Sequence, residues 1–70
     1  MRNRFAERLK ELRVEAGLTQ EQLSKMLDGA ITPSAIGLWE LNKRTPNLEA
    51  VIMLSDYFGV SLDYIAGRED

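Results

Sequence analysis

The sequence predicts an all-α bundle of five short helices, and three observations in its 70 residues predict it. Apolar residues recur at helical spacing and nowhere alternate with strand period over a useful length. Four of the five glycines and both prolines fall where a helix would stop or start. Short polar residues (Asn3, Thr19, Thr32, Asn47 and Ser61) stand just ahead of the apolar runs. There a side-chain oxygen can satisfy the unpaired N–H groups of a first helical turn.

Asn3 is the expected cap of a first helix running to about Ala16, with Phe5, Leu9, Leu12 and Ala16 on one face, and Gly17 ends it in the left-handed conformation. Thr19 followed by Gln22 forms a capping box that opens a second helix, running to about Asp28, with Leu23, Met26 and Leu27 facing inward. Asp28-Gly29 breaks it. Thr32-Pro33 starts the third helix, with Thr32 as cap and Pro33 in the first turn, where its missing N–H costs nothing. Asn42 is the expected left-handed stop, and Trp39, at helical spacing from Ile36, is expected in the core. Asn47 caps a fourth helix whose Leu48, Val51, Ile52, Leu54, Ser55 and Phe58 face inward and which ends at Gly59. Ser61 caps a short fifth, closed by Gly67. With no internal repeat and no Gly/Ser or Pro-rich linker, residues 1–70 form one domain.

Composition narrows the function classes. There is no Cys and no His, so a disulfide staple, a thiol nucleophile, a thiolate zinc site and the commonest general base are all missing. No nucleophile stands with its base and no cofactor loop is present, so an enzyme is not expected, and neither a cofactor nor a metal is implied. Glu21, Asp28 and Glu40 have no companion ligands for a metal site. The charged opening, Met1 to Lys10, does not read as a signal peptide, and no apolar run approaches the roughly 20 residues that span a bilayer. A cytoplasmic protein with no membrane partner and no evident small-molecule substrate is the expectation.

The segment from Thr19 to Pro46 reads as helix, connection, second helix and basic exit, the arrangement by which a small protein lays a helix in a DNA groove. A net charge of −2 argues against nucleic acid, but its distribution softens the objection. Residues 1–44 carry a net +2 and residues 45–70 a net −4. The front end can face phosphate while the back end faces away.

At this point the residues resemble the Cro and phage-repressor type of helix-turn-helix domain, the XRE family, whose fold is the five-helix lambda-repressor-like bundle. The resemblance is carried by Arg8 to Arg13, Gly17-Leu18-Thr19-Gln20-Glu21-Gln22-Leu23, Ser34-Ala35-Ile36, Trp39-Glu40, Lys43-Arg44-Thr45-Pro46 and Phe58 to Asp63. It implies that the second and third helices form the DNA-reading unit. Thr19 and Gln20, at the start of the second helix, would meet the DNA backbone, with Gln20 donating to a phosphate. Thr32, Pro33, Ser34 and Leu38 would face base edges, and Asn42, Lys43 and Arg44 would clamp the backbone. Arg13 and Glu40 stand where such domains pair the first helix with the third. The implied partners are double-stranded DNA and a second copy of the chain, with Tyr64, Ile65, Leu41 or Tyr57 as dimer anchors.

The chain departs from the family pattern on its reading face. Bidentate side chains such as Gln, Arg or Asn are replaced there by Pro33, Ser34, Ala35, Gly37 and Leu38. Direct readout should therefore be shallow, with Leu38 and Pro33 placed to touch thymine methyls. The connection from Leu27 to Ile36 is about two residues longer than usual in the family, with Gly29, Ala30 and Ile31 in a wide turn. Gly37 inside a helix implies a close approach, either to the second helix or to DNA.

Plainer readings stand beside these. Arg8 and Lys10 read as a solvated helix face with Glu7, Glu11 and Glu15, whereas Arg2 and Arg4 are better phosphate candidates. Against the favoured phosphate contact, Lys43-Arg44 can complement a helix dipole, and Gln20 can be an ordinary first-turn residue. The expected function is a sequence-specific regulator, a repressor on a near-palindromic operator. The alternative is a protein-interaction module on the same fold that no longer reads DNA. Arg68-Glu69-Asp70 is compatible with a natural end or with a cut before a linker.

Overall fold

Local rules decide where each helix begins and ends in the computed structural model, which describes residues 4–68. The helices are α1 (Phe5–Glu15), α2 (Gln20–Met26), α3 (Pro33–Glu40), α4 (Leu48–Phe58) and α5 (Leu62–Ile65), with no strand among the described residues. Helices α2 to α5 each open on a side-chain oxygen that accepts from the N–H three residues on. Thr19 accepts from Gln22, Thr32 from Ala35, Asn47 from Ala50 and Ser61 from Tyr64, at 2.8–3.1 Å. At α2 the box is reciprocal, since the Thr19 N–H donates to Gln22 Oε1 at 2.8 Å. Helix α1 begins after Arg4, whose side chain makes no capping hydrogen bond, and the expected Asn3 cap lies outside the described residues.

The helices also share one ending. An N–H just past each helix donates five residues back, from Leu18 to Arg13, Gly29 to Ser24, Lys43 to Leu38, Val60 to Ser55 and Arg68 to Asp63, at 2.8–3.1 Å. The bond closes around a left-handed residue. At α2 and α3 that residue is not glycine: Asp28 has φ 57° and Asn42 φ 59°, a region their short polar side chains tolerate. The stop expected at Asn42 is therefore present.

The core joins all five helices through Phe5, Leu9, Leu23, Ile36, Trp39, Ala50, Leu54 and Ile65, with Leu27 and Ile31 from the α2–α3 connection. Phe5 and Trp39 meet edge to face with ring centroids 6.2 Å apart, the orientation that sets a positive ring edge on a negative face. Trp39 is buried, as its spacing predicts. The long connection is anchored twice, because Ile31 enters the core and Ser24 Oγ donates to the Ile31 carbonyl at 2.6 Å.

Several expectations are corrected. Met26 is exposed because Ser24 takes the inner face of α2, and Met26 lies roughly 100° round the helix from the Leu23, Ser24 and Leu27 stripe. Leu48 and Ile52 are exposed, since α4 buries Ala50 and Leu54, about half a turn away. Ala16 is exposed beyond the end of α1. Ile31, in the wide turn as expected, also enters the core. Arg8, expected in solvent, is 6% exposed. Its guanidinium stacks 4.1 Å above the Tyr64 ring and donates to the Tyr64 carbonyl at 3.3 Å. Ile65, expected as a dimer anchor, is fully buried within one chain.

Candidate nucleic-acid interface

The site is built around Glu40 at the end of α3. Arg13 on α1 grips its carboxylate with both arms of the guanidinium fork, Nε to Oε2 at 2.7 Å and Nη2 to Oε1 at 3.0 Å, while Nη1 donates to the Leu18 carbonyl at 2.8 Å. The side chains are 13% and 5% exposed, so the pair is mostly buried, as the sequence leads one to expect. Its hydrogen bond to Glu40 raises the Arg13 pKa above the ordinary arginine value; burial opposes this and Coulomb attraction adds to it. Gln20 Nε2 also donates to Glu40 Oε1, at 3.2 Å. Glu40 thus ties α1, α2 and α3 together.

This network explains Gly37. A Cβ there would lie 3.3 Å from Gln20 Oε1, so the missing side chain makes room for Gln20 to cross α3 on its way to Glu40. The close approach expected at Gly37 is to the second helix. One N–H of the Gln20 amide is directed to Glu40, so the side chain is held in place and is not an ordinary solvated first-turn group.

The first turns of α2 and α3 open on one cleft of about 590 Å³, lined by Arg13, Thr19, Gln20, Glu21, Pro33 and Ser34. Helix N-termini present unpaired N–H groups and partial positive charge, so such a cleft favours an anion, with Glu21 opposing it from the rim. A second groove, about 870 Å³, runs between α3 and the start of α4. Thr32, Ser34, Ala35, Leu38, Arg44 and Met53 are among its walls. Thr19, Gln20, Pro33 and Ser34 therefore meet in the first space, and Thr32, Ser34, Leu38 and Arg44 in the second. Asn42, Lys43 and Arg44 are exposed on the turn that leaves α3.

One expected phosphate candidate, Arg4, is not gathered here, and a second, Arg2, lies outside the described residues. Arg4 sits at the other end of α1, roughly 13 Å of helix from Arg13, where its backbone and Cβ pack on Gly67. Sequence reasoning missed Asn47, which lines the second groove; its oxygen caps α4 and its NH2 group is the half left over for a ligand. Its place directly after Thr45-Pro46 was the available signal. Among the described residues no cluster of acidic side chains could hold a metal ion, and no helix is long and apolar enough to cross a membrane.

Comparison with known proteins finds a family and relatives. Residues 9–65 match the family model described as helix-turn-helix. The chain is 38% identical over 66 residues to the HTH-type transcriptional activator BcrR of Enterococcus faecalis, covering 94% of this chain and 31% of that protein. It is 33% identical over 66 residues to the HTH-type transcriptional regulator ImmR of Bacillus subtilis, covering 94% of this chain and 50% of that protein. An uncharacterized HTH-type transcriptional regulator of B. subtilis, YobD, is 35% identical over 94% of this chain and 57% of its own length. The chain thus spans between about a third and just over half of these relatives. No solved structure matches at a significant level.

Proposed function

The chain belongs to the helix-turn-helix family of the Cro and phage-repressor type, and from that premise we propose that it binds duplex DNA and regulates transcription from the bound site. The observation that carries this reading is the exposed start of α3, with Thr32 and Ser34 on its outer side and Asn42, Lys43 and Arg44 exposed where it ends. Helix α3 enters the major groove. Lys43 and Arg44 meet phosphates beyond it, and the cleft between the first turns of α2 and α3 receives a phosphate on the near side. Gln20, steadied by Glu40, offers its second amide N–H to that phosphate, which fixes register and carries no sequence information.

The described part of one copy measures 30 Å along its longest axis, shorter than the roughly 34 Å of one DNA turn. A single chain therefore covers a half-site, and two copies on a two-fold axis cover a near-palindromic operator. Occlusion of a promoter would then make the protein a repressor. Lys43→Glu combined with Arg44→Glu tests the reading: retention on duplex DNA is expected to be lost while the helical circular-dichroism signal is unchanged. Undiminished retention would contradict it.

A second reading, a protein-interaction module, is favoured by the exposure of Leu41 (67%) and Leu48 (68%). It expects the same double variant to keep its partner, and Leu41→Lys to lose it.

A further inference from the structure

The outer face of α3 lacks the groups that read bases through paired hydrogen bonds. The Thr32 hydroxyl oxygen accepts from the Ala35 N–H at 3.1 Å, and the Gln20 amide nitrogen donates to Glu40 at 3.2 Å. All but the rim of Arg13 is committed to Glu40 and the Leu18 carbonyl. Pro33, Ser34, Ala35 and Leu38 remain with the Thr32 O–H, which amounts to two hydroxyls on an otherwise apolar surface.

That surface has a shaped continuation. Ala35 and Leu38 form one wall of the groove beside α3, and Ala50 with the part-exposed Met53 supplies the facing wall from α4. Arg44 stands on the same groove, next to the exposed Lys43, so the occupant it suits is apolar at its tip and anionic at its flank. Glu49 also lines the groove and offsets Arg44, so charge alone gives little grip and the apolar contact must discriminate.

The major-groove edge of a base pair offers one apolar feature, the C5 methyl of a pyrimidine. We propose that a C5-methyl group is what this face reads, received against Ala35 and Leu38 while Arg44 holds the neighbouring phosphate. The inference rests on the DNA-binding reading above and makes it more specific. Each half-site is then recognised at one or two methyl-bearing steps, and Ser34 adds a hydrogen bond that nearly any base can satisfy. Thymine is the ordinary source of the methyl, and 5-methylcytosine carries the same group.

The test begins with duplexes selected from a randomised library at moderate salt. Each thymine of the selected site is then replaced singly by deoxyuridine, which removes the methyl and leaves phosphates and base pairing unchanged. Binding is expected to weaken about fourfold at each contacted thymine, the ratio for one buried methyl-sized group. In the Leu38→Ala chain, checked for its helical signal, the same replacement should cost less than about twofold, because the methyl has lost its partner. The wild-type series needs no altered protein, so it decides the matter even if that variant is unstable. A second selection from a library with 5-methylated cytosines separates the two methyl sources: thymine retained at the contacted step marks thymine as the group read, and its exchange for 5-methylcytosine marks the methyl alone. If the selected duplex binds and every deoxyuridine replacement is neutral, methyl reading is overturned while the regulator reading stands. If no duplex is selected, both fall.

Discussion

Glu40 is the residue on which the geometry of the helix-turn-helix unit turns, because one carboxylate accepts from Arg13 of α1 and Gln20 of α2. Removing it leaves a largely buried guanidinium with only the Leu18 carbonyl for company. Glu40→Ala should therefore cost about 3 kcal/mol in denaturant unfolding, and a loss under about 1 kcal/mol would show that the pair is ornamental. The pH dependence has a definite sign. A pKa raised in the folded state contributes stability that is complete below the unfolded value and fades only as pH climbs through the folded one. Arginine titrates beyond about pH 12, so the stability gap between wild type and Arg13→Met should stay level from about pH 8 to 10. A gap that closes across that range would contradict the assignment.

At the scale of the element, the α2–α3 connection decides how α3 is aimed. Residues 27–32 make a six-residue link held by Ile31 in the core and by the buried bond from Ser24 Oγ to the Ile31 carbonyl. Ser24→Ala leaves that carbonyl without its partner and should destabilise by about 1–3 kcal/mol in thermal or urea unfolding. A neutral result would mean that the loop does not depend on this anchor. Caps and stops were the most legible part of the sequence, because Thr19, Thr32, Asn47, Ser61 and Asn42 act through chemistry within a few residues of themselves. Inner faces were less legible. Helix α4 is apolar nearly all round, so periodicity could not choose between Ala50 with Leu54 and Leu48 with Ile52. Ser24 and Arg8 were illegible for a related reason: their burial depends on partners 7 and 56 residues away, the Ile31 carbonyl and Tyr64. In the candidate site, Gly37 signalled a close approach, but only the fold showed that Gln20 fills the space.

For the whole molecule, charge placement and size govern what it can do. The net −2 would weigh against DNA if it were spread evenly, yet Lys43 and Arg44 are exposed beside α3, where Glu49 shares the groove, while Asp56 stands near the far end of α4 and Asp63 on α5. The described residues, 30 Å at their longest, fall short of two successive major grooves, so on the proposed two-fold arrangement selected sites should contain two inverted half-sites centred about 34 Å apart. The most direct test of the central claim, that α3 and its basic exit lie on a duplex, is the affinity for a selected site measured across a range of NaCl concentrations. The account expects an enriched, near-palindromic motif whose log affinity falls linearly with log salt, by about 0.9 for each phosphate neutralised. Binding without an enriched motif and without salt dependence would contradict it.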